Sequence, residues 1–441
     1  MKIVSPDVAV IGAGPVGCVT ALAFARRGAK VTLLEAQPNN KKRLAGEWLH
    51  PPALEVLERL GVSLSPDTVN YDTGLGFVVF PDDGSKPIRL EYPSGAKGLS
   101  CEHNSIVSTL REAASDRKEI DFISHARVTR IQGQQLSVES FQQGDPFTVV
   151  ADRIVGADGR ASIARKAMGI SHNPQPISYM AGVLLENVKL PFEGFGHVLL
   201  GGVGPALIYR IGENKVRMCL DVPLNVPKKL ANLWDAYRSI IPSELLEAFR
   251  QALAENRVVW VANQHSSRTY YGRPGLSLVG DATGYFHPMT ATGMTVGFMD
   301  AERLVESHSF KDYQNQRNFG TYVPEMLATT LYQVFCRDDE SAVAIRRAIY
   351  QMWREDPTEC FRTMHLLSGA QTNIFHFTGS FIKGLAMAVK SVFENNIATG
   401  QWLNLLRVSL AFAQWLRLPM TIAVSRFWKN PRGSMSLKEG V

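Results

Sequence analysis

The chain has 441 residues, 45% of them hydrophobic and 20% charged, with a formal net charge of +6. That length exceeds the size at which one hydrophobic core stops growing, so two packed domains are expected, and the composition excludes wholesale disorder. The basic excess includes no run interleaved with aromatics, which argues against a nucleic-acid partner. The scattered Cys18, Cys101, Cys219, Cys336 and Cys360 form no CxxC, so neither a disulfide framework nor a metal site is expected, and a reducing compartment is.

Asp7 to Gly12 reads as a short buried strand, which leaves no room for a signal peptide before it. Gly12, Gly14 and Gly17 follow, with Pro15 and Val16 between them, then a helical run from Cys18 to Arg27. A second strand, Lys30 to Leu34, delivers Glu35, 18 residues past the last glycine, and then Ala36. The pattern is that of a dinucleotide site. Gly12 permits the tight turn, Gly14 a close approach of backbone to pyrophosphate, and Gly17 close packing of helix on strand. Glu35 accepts hydrogen bonds from an unphosphorylated ribose, which favours FAD or NAD over NADP.

Arg43-Leu-Ala-Gly-Glu47-Trp-Leu-His-Pro51 leads into a helix over Pro52 to Leu60. Val155-Gly-Ala-Asp158-Gly159 ends another strand, and the Ser162 and Arg165 after it read as helix-capping and surface residues. Runs with few charges at Tyr179–Leu185, His197–Leu200, Ala206–Tyr209 and Val216–Leu220 read as strands, with Gly202-Val-Gly204 as a hairpin turn. A strand over Leu276–Val279 is followed by Gly280-Asp281-Ala282, His287-Pro288 and Gly293-Met294-Thr295, then a helix from Met294 to Leu304. From Cys336 the pattern turns helical, and Phe375–Phe393 and Trp402–Trp428 are rich in aromatics, Leu and Met. No stretch of ~18 uncharged apolar residues predicts a membrane span.

Together the Arg43–Pro51, Asp158-Gly159 and Gly280-Asp281 elements resemble flavoprotein monooxygenases of the p-hydroxybenzoate hydroxylase fold, and within that group the squalene monooxygenase (squalene epoxidase) family. The Arg-x-x-Gly-Glu-x-x-x-Pro element falls at Arg43 to Pro51, and His-Pro-x-Thr-x-x-Gly-Met-Thr-Val at His287 to Val296. Pro205-Ala-Leu-Ile-Tyr-Arg-Ile, and Asp356-Pro-Thr-Glu-Cys360 leading to Leu366-Leu-Ser-Gly369, extend the likeness. The chain departs from the family in two places. Glu102-His103-Asn104-Ser105 stands where members carry a flavin-contacting Arg, and Ala291-Thr292-Gly293 stands for a Gly-Gly-Gly in the flavin loop.

The resemblance implies an α/β fold. A Rossmann-type FAD-binding domain (1–75, 95–170 and 270–335) is interleaved with a substrate-binding sheet domain (76–94 and 171–269), and a helical region spans 336–441. It further implies FAD held by Gly12, Gly14, Pro15, Val16, Gly17, Glu35, Ala36, Arg43, Glu47, Asp158, Asp281, Pro288, Gly293 and Met294. In that reading Asp281 receives the ribityl hydroxyls and the helix after Gly293 aims its amides at the flavin's pyrimidine edge. Phe77, Tyr92, Tyr209 and His287 are candidate pocket residues, with Phe77 and Tyr92 as wall or lid aromatics. No protein nucleophile is expected, because a reduced flavin with O2 supplies electrophilic oxygen itself.

The expected reaction is insertion of one oxygen atom from O2 into a lipophilic alkene, squalene-like or another polyprenyl or polyene compound. NAD(P)H supplies the electrons directly or through a reductase partner. Rival readings are an aromatic hydroxylase of a quinone or quinolone lipid, a geranylgeranyl-type prenyl reductase, and a prenyl-binding escort without catalysis. A halogenase is disfavoured by the absence of Trp-x-Trp-x-Ile-Pro. The C-terminal stretches, where part of the basic excess sits (Arg407, Arg417, Arg426, Lys429 and Arg432), suggest monotopic helices at the cytoplasmic face of a membrane, with Trp402, Trp415 and Trp428 at headgroup level and Arg407, Arg417 and Arg426 toward anionic lipid, bent at Pro419. A buried hairpin over the active site, or a dimer contact, is the alternative.

Overall fold

The computed structural model describes residues 2–37, 46–64, 70–141, 144–170, 174–224, 226, 230–398, 411–415 and 417. Arg43, Trp402, Arg407, Pro419, Arg426, Trp428, Lys429 and Arg432 lie outside the described residues. Val8–Ile11 is buried on both faces, as a central parallel strand must be. It sits in a six-stranded sheet ordered Gly272–Arg273, Leu276–Leu278, Arg153–Gly156, Val8–Ile11, Val31–Glu35, Ile120–Ser124, with every pairing parallel except that of the short edge strand. Val8 and Val10 face a helical layer that includes α1 (Pro15–Arg26), α2 (Pro51–Arg59) and α3 (His103–Ser115). Ala9 and Ile11 face a four-stranded sheet built around Ala126–Gln132, Gln135–Ser140 and Phe147–Val150, with the short α4 (Ile163–Ala167) alongside.

A second, seven-stranded sheet is ordered Val258–His265, Gln175–Glu186, Lys215–Pro223, Ala206–Arg210, Phe195–Leu199, Gly76–Phe80, Ile88–Glu91. Gly202-Val-Gly204 turns between Phe195–Leu199 and Ala206–Arg210, which pair antiparallel. Strand alternation divides the sheet's residues between two environments. Ala181, Val183, Leu185, Val216, Met218, Leu220 and Val222 pack with α5 (Leu230–Tyr237) and α6 (Ser243–Ala254). Phe77, Val79, Leu90, Met180, Tyr209 and Cys219 face the other way, toward the C-terminal helices.

Helices begin well before Cys336: α7 (Gly293–Glu306), α8 (Phe310–Gly320) and α9 (Tyr322–Cys336) precede α10 (Glu340–Glu355), α11 (Pro357–Leu367) and α12 (Ile374–Ala398). Among the described residues no helix is long and apolar enough to cross a membrane. Trp415 departs from the interfacial expectation. It is 2% exposed, its indole N–H donates to Ser341 Oγ at 3.0 Å, and the Arg337 guanidinium lies 5.0 Å from its ring centroid. A buried indole needs such a partner, and α10 supplies one where a headgroup was expected. Arg417 is exposed.

Candidate active site

The glycine turn, Glu35, Asp158 and Asp281 all leave the carboxyl ends of parallel strands, where an open α/β sheet places its ligand crevice. Gly12 has φ +98°, and a Cβ there would stand 2.8 Å from the Ala157 carbonyl oxygen, so both space and backbone require glycine. A Cβ on Gly17 would stand 1.8 Å from Gly12 O, the close helix–strand approach expected there. Over Gly14 a Cβ would meet nothing within 4 Å. Gly14 is the N-cap of α1, no side chain caps the helix, and Pro15 occupies its first turn. The amides of that turn therefore face open space with the positive end of the helix dipole behind them.

Glu35 holds the turn from the next strand. Its carboxylate accepts from Ala13 N at 2.8 Å and Gln37 N at 2.7 Å, and Ala36 beside it is half-buried. The sequence reading missed Arg111 on α3, whose Nε donates to Ala13 O at 2.8 Å and whose Nη2 lies 3.2 Å from Glu35 Oε2. Although Glu102–Ser105 lacks the family's arginine, the same helix brings this one to the cradle two turns later. His103 instead bonds Gly46 O through Nδ1 at 2.9 Å, and Met294 Sδ lies against Gly46.

Gly280 (φ +60°) starts the second turn, and a Cβ on it would stand 3.1 Å from Val16. A Cβ on Gly297 of α7 would stand 2.5 Å from the same Val16, so this side chain joins the first and last parts of the cradle. A buried ion network hangs the turn. Asp300 of α7 accepts from Gly280 N at 2.9 Å and Arg317 Nε at 2.6 Å and pairs with Arg268, while Arg268 Nη1 donates to Gly280 O and Gly284 O at 3.1 Å each. Asp281 itself is half-exposed, 3.2 Å from Arg160 Nε, and Arg160 in turn lies 4.7 Å from the Tyr285 ring centroid.

Asp158 commits one oxygen to Ile163 N (2.6 Å) and Ala164 N (3.1 Å). Its Oδ1 is buried without a hydrogen-bond partner among the described residues, and burial raises its pKa. Ser162 caps α4 through Arg165 N at 2.9 Å. Arg165 is not a surface residue: it is buried, and its guanidinium donates to Ala282 O at 3.0 Å and to the Arg160 carbonyl, because carbonyls of the Asp281 turn converge there.

His287 and Pro288 lead to α7, whose N-cap Thr292 makes no side-chain cap and whose first residue, Gly293, has nothing within 4 Å of a Cβ position. Ala291 adopts φ +53°, so alanine takes a left-handed conformation where the family has glycine. His50 fixes this loop: its Nε2 lies 2.8 Å from Thr290 O and its Nδ1 2.6 Å from the Tyr92 hydroxyl. Burial pushes the His50 pKa down to about 4, so the ring is neutral at physiological pH.

Opposite these helix ends lies the inner face of the seven-stranded sheet. Phe77, Tyr92 and Tyr209 are each 4% exposed and pack around Trp48 as a wall. Trp48 Nε1 donates to the Tyr92 oxygen at 2.9 Å. Glu47 is buried within this wall, pairs with Arg217 at 2.8 Å and accepts from the Tyr209 hydroxyl at 3.0 Å. His287 joins Ser178, Asp221, Asn263 and Tyr332 at the far end of the same face. A cavity of about 190 Å³ lined by Phe24, Arg153, Val155, Ser277, Leu304 and Tyr313 lies elsewhere and contains none of these groups. Among the described residues no group of His, Cys, Asp or Glu could hold a metal ion.

Two uncapped helix N-termini, open glycine positions at both, and an orphaned buried Asp158 oxygen fit an anionic dinucleotide whose polar groups complete them. Comparisons with known proteins agree. A family model described as "FAD dependent oxidoreductase" matches residues 7–67, and one described as "Squalene epoxidase" matches residues 150–408. Squalene epoxidase erg1 of Aspergillus fumigatus is 29% identical over 383 residues, 79% of each chain. Squalene epoxidase ERG1 of Candida albicans is 26% identical over 438 residues, covering 84% of this chain and 88% of that one. Among solved structures, p-nitrophenol 4-monooxygenase PnpA from Pseudomonas putida superposes with a TM-score of 0.70 at 16% identity, over 84% of this chain and 100% of that one. The fold is therefore the p-hydroxybenzoate hydroxylase-like fold of FAD-dependent monooxygenases.

Proposed function

The chain belongs to the squalene epoxidase family, and we propose that it epoxidises squalene or a closely similar polyprenyl alkene. It is an FAD-dependent monooxygenase that uses O2 and acts on a lipophilic substrate. One observation carries the substrate reading beyond family membership. The sheet face opposite the two helix N-termini carries a buried apolar stretch of Trp48, Phe77, Leu90 and Met180, suited to a hydrocarbon.

When bound and reduced, FAD activates O2 and supplies the transferred oxygen. The α1 amides above Gly14 and Pro15 would hold the pyrophosphate, Glu35 the ribose and Asp281 the ribityl chain, with Val16, Gly17, Ala36 and Pro288 shaping the walls between them. The uncapped end of α7 at Gly293 and Met294 would stabilise negative charge on the reduced ring. The wall excludes water, which otherwise diverts reducing equivalents. We read the seven-stranded sheet as the substrate domain, 76–94 with 171–269; its strands falling inside those limits supports that division.

Electrons would come from NAD(P)H, through a reductase or directly, and the protein would dock on a membrane surface. In support, α12 exposes Phe375 (80%) and Ile382 (54%), with Phe361 of α11 (48%) also exposed. An interfacial helix buries such side chains in lipid while its opposite side stays on the protein.

The test is incubation of the FAD-loaded, detergent-solubilised protein with squalene, ¹⁸O2 and NADPH, with and without a reductase. Epoxide carrying one labelled oxygen is expected. Oxygen consumption without epoxide overturns the substrate, and alkene reduction without O2 overturns the reaction class.

A further inference from the structure

We propose that His287 is the proton-carrying residue of the oxygenation cycle and that Asp221 sets it in that role. This inference rests on the monooxygenase reading and assigns its missing proton to one atom, Nδ1 of His287.

The geometry is specific. His287 is 3% exposed, and its Nε2 lies 3.0 Å from Asp221 Oδ1. That same oxygen accepts from Ser178 Oγ at 2.5 Å and Asn263 Nδ2 at 2.9 Å. An acceptor-only carboxylate requires the hydrogen of a neutral imidazole to sit on Nε2, which leaves a lone pair at Nδ1. Nδ1 is buried and has no hydrogen-bond partner among the described residues. The ring is held in this orientation by Tyr332, stacked at 3.9 Å between centroids.

Asp221 is 4% exposed, and among the described residues no lysine or arginine pairs with it. A buried carboxylate lacking a cation is costly, and an imidazolium at His287 supplies one. Among the other groups facing the pair, the Tyr237 hydroxyl of α5 donates to the Asp221 carbonyl oxygen, and burial raises its pKa. The Tyr332 hydroxyl bonds with Ser178 and Cys336, the Cys336 thiol lies 4.0 Å from Asp221 Oδ2, and burial raises the pKa of both, so neither ionises near neutrality. Glu325 of α9 pairs with His265 of the neighbouring strand at 3.2 Å, and Arg160 with Asp281 within the turn's own surroundings.

The reaction needs one such proton. Bound FAD would supply the two electrons that place one atom of O2 on the alkene and release the other as water. Held as an anion by the α7 terminus when reduced, it would bring one hydrogen, so water formation requires a second from elsewhere. The His287 imidazolium gives its Nδ1 proton to the departing oxygen and becomes neutral, still donating through Nε2 to Asp221. It takes up a proton again when the flavin is next reduced.

The first readout is the number of protons taken up per flavin on anaerobic reduction, from the pH dependence of the flavin midpoint potential. Within about pH 6–8 the wild type should show an interval with two protons per two electrons, and His287→Gln only one. Asp221→Asn should move that interval to lower pH. The second readout is turnover: His287→Gln should lower kcat by roughly 10²–10⁴-fold with KM unchanged, and added imidazole should restore part of it. A wild type that takes up one proton throughout, or a His287→Gln variant that retains FAD with an unchanged proton count, overturns the proposal while leaving the monooxygenase reading intact. Should His287→Gln fail to fold, the wild-type count and the Asp221→Asn shift decide. A wild-type protein that binds no FAD overturns both readings.

Discussion

Asp300 Oδ2 lies 2.9 Å from the backbone nitrogen of Gly280, although the two sit on different elements. That carboxylate also pairs with both Arg268 and Arg317, so the position of the Asp281 turn and the ion pairing of two buried guanidiniums depend on one side chain.

Replacing Asp300 with Ala should therefore cost about 3–5 kcal/mol, the usual consequence of stranding a buried charge. Urea unfolding followed by tryptophan emission, alongside flavin release, measures it. Stability within 1 kcal/mol of wild type and undiminished FAD affinity, on the order of the scatter between unrelated surface variants, would remove the network from its supporting role.

The two inner glycines of the first turn should respond differently to alanine. Gly17→Ala drives a methyl to 1.8 Å from Gly12 O and should destabilise the fold even without cofactor. Gly14→Ala enters open space, so the apoprotein should melt as wild type while FAD binding weakens. Calorimetry of apo and FAD-loaded forms separates the two; equal loss in both apoproteins contradicts the assignment of open space over Gly14 to the ligand.

Acid should weaken the fold through two histidines. Burial lowers both His50 and His197 to about 4 from an ordinary 6.5, so between those values the unfolded chain binds more protons than the folded one. Stability then rises with pH across that window and falls as pH drops through it, each residue contributing roughly 3 kcal/mol at neutral pH relative to full protonation. A His50→Asn variant should show a shallower slope of unfolding free energy between pH 6.5 and 4. An unchanged slope would mean His50 is protonated in the fold.

Trp415→Ala should act on stability and not on lipid affinity. Loss of a buried indole costs about 3–5 kcal/mol, visible as a lower melting temperature. By contrast, Phe375→Ser with Ile382→Ser should leave melting unchanged and reduce flotation with anionic vesicles. Vesicle-induced blue shift of Trp415 emission, measured with the other tryptophans replaced by Phe, would contradict its burial against Ser341.

The cradle was legible because its information is local. Gly12, Gly14, Gly17 and Glu35 are spaced by one strand–helix–strand unit, and Asp281 directly follows the Leu276–Leu278 strand, so chain order alone brings each to a strand end. The partners that fix them were not. Arg268, Asp300 and Arg317 look like ordinary surface charges on three elements, and only packing makes them one buried network. The pocket face was hidden for a related reason: in Lys215–Pro223 the apolar Val216, Met218, Leu220 and Val222 alternate with Lys215, Arg217, Cys219 and Asp221, so the polar side reads as a solvent face although Arg217, Cys219 and Asp221 point inward. Glu47 reads as part of a cofactor motif, yet its partner Arg217 comes from a distant strand that no spacing rule links to it. Arg165 and Trp415 were misread because their types favour surfaces, whereas carbonyls of the Asp281 turn and Ser341 satisfy them inside.

The contact of Val16 with both Gly280 and Gly297 also bears on biosynthesis. During translation the glycine turn emerges from the ribosome early, but its counterpart follows only after the whole intervening sheet has been made. At about 5–20 residues per second that delay is on the order of 15–50 s. Throughout it the nascent α1 terminus has no α7 to close against, so a flavin held in the proposed cradle would be captured late, on completion of the catalytic body, and a ribosome stalled before Gly280 should yield a chain unable to retain it.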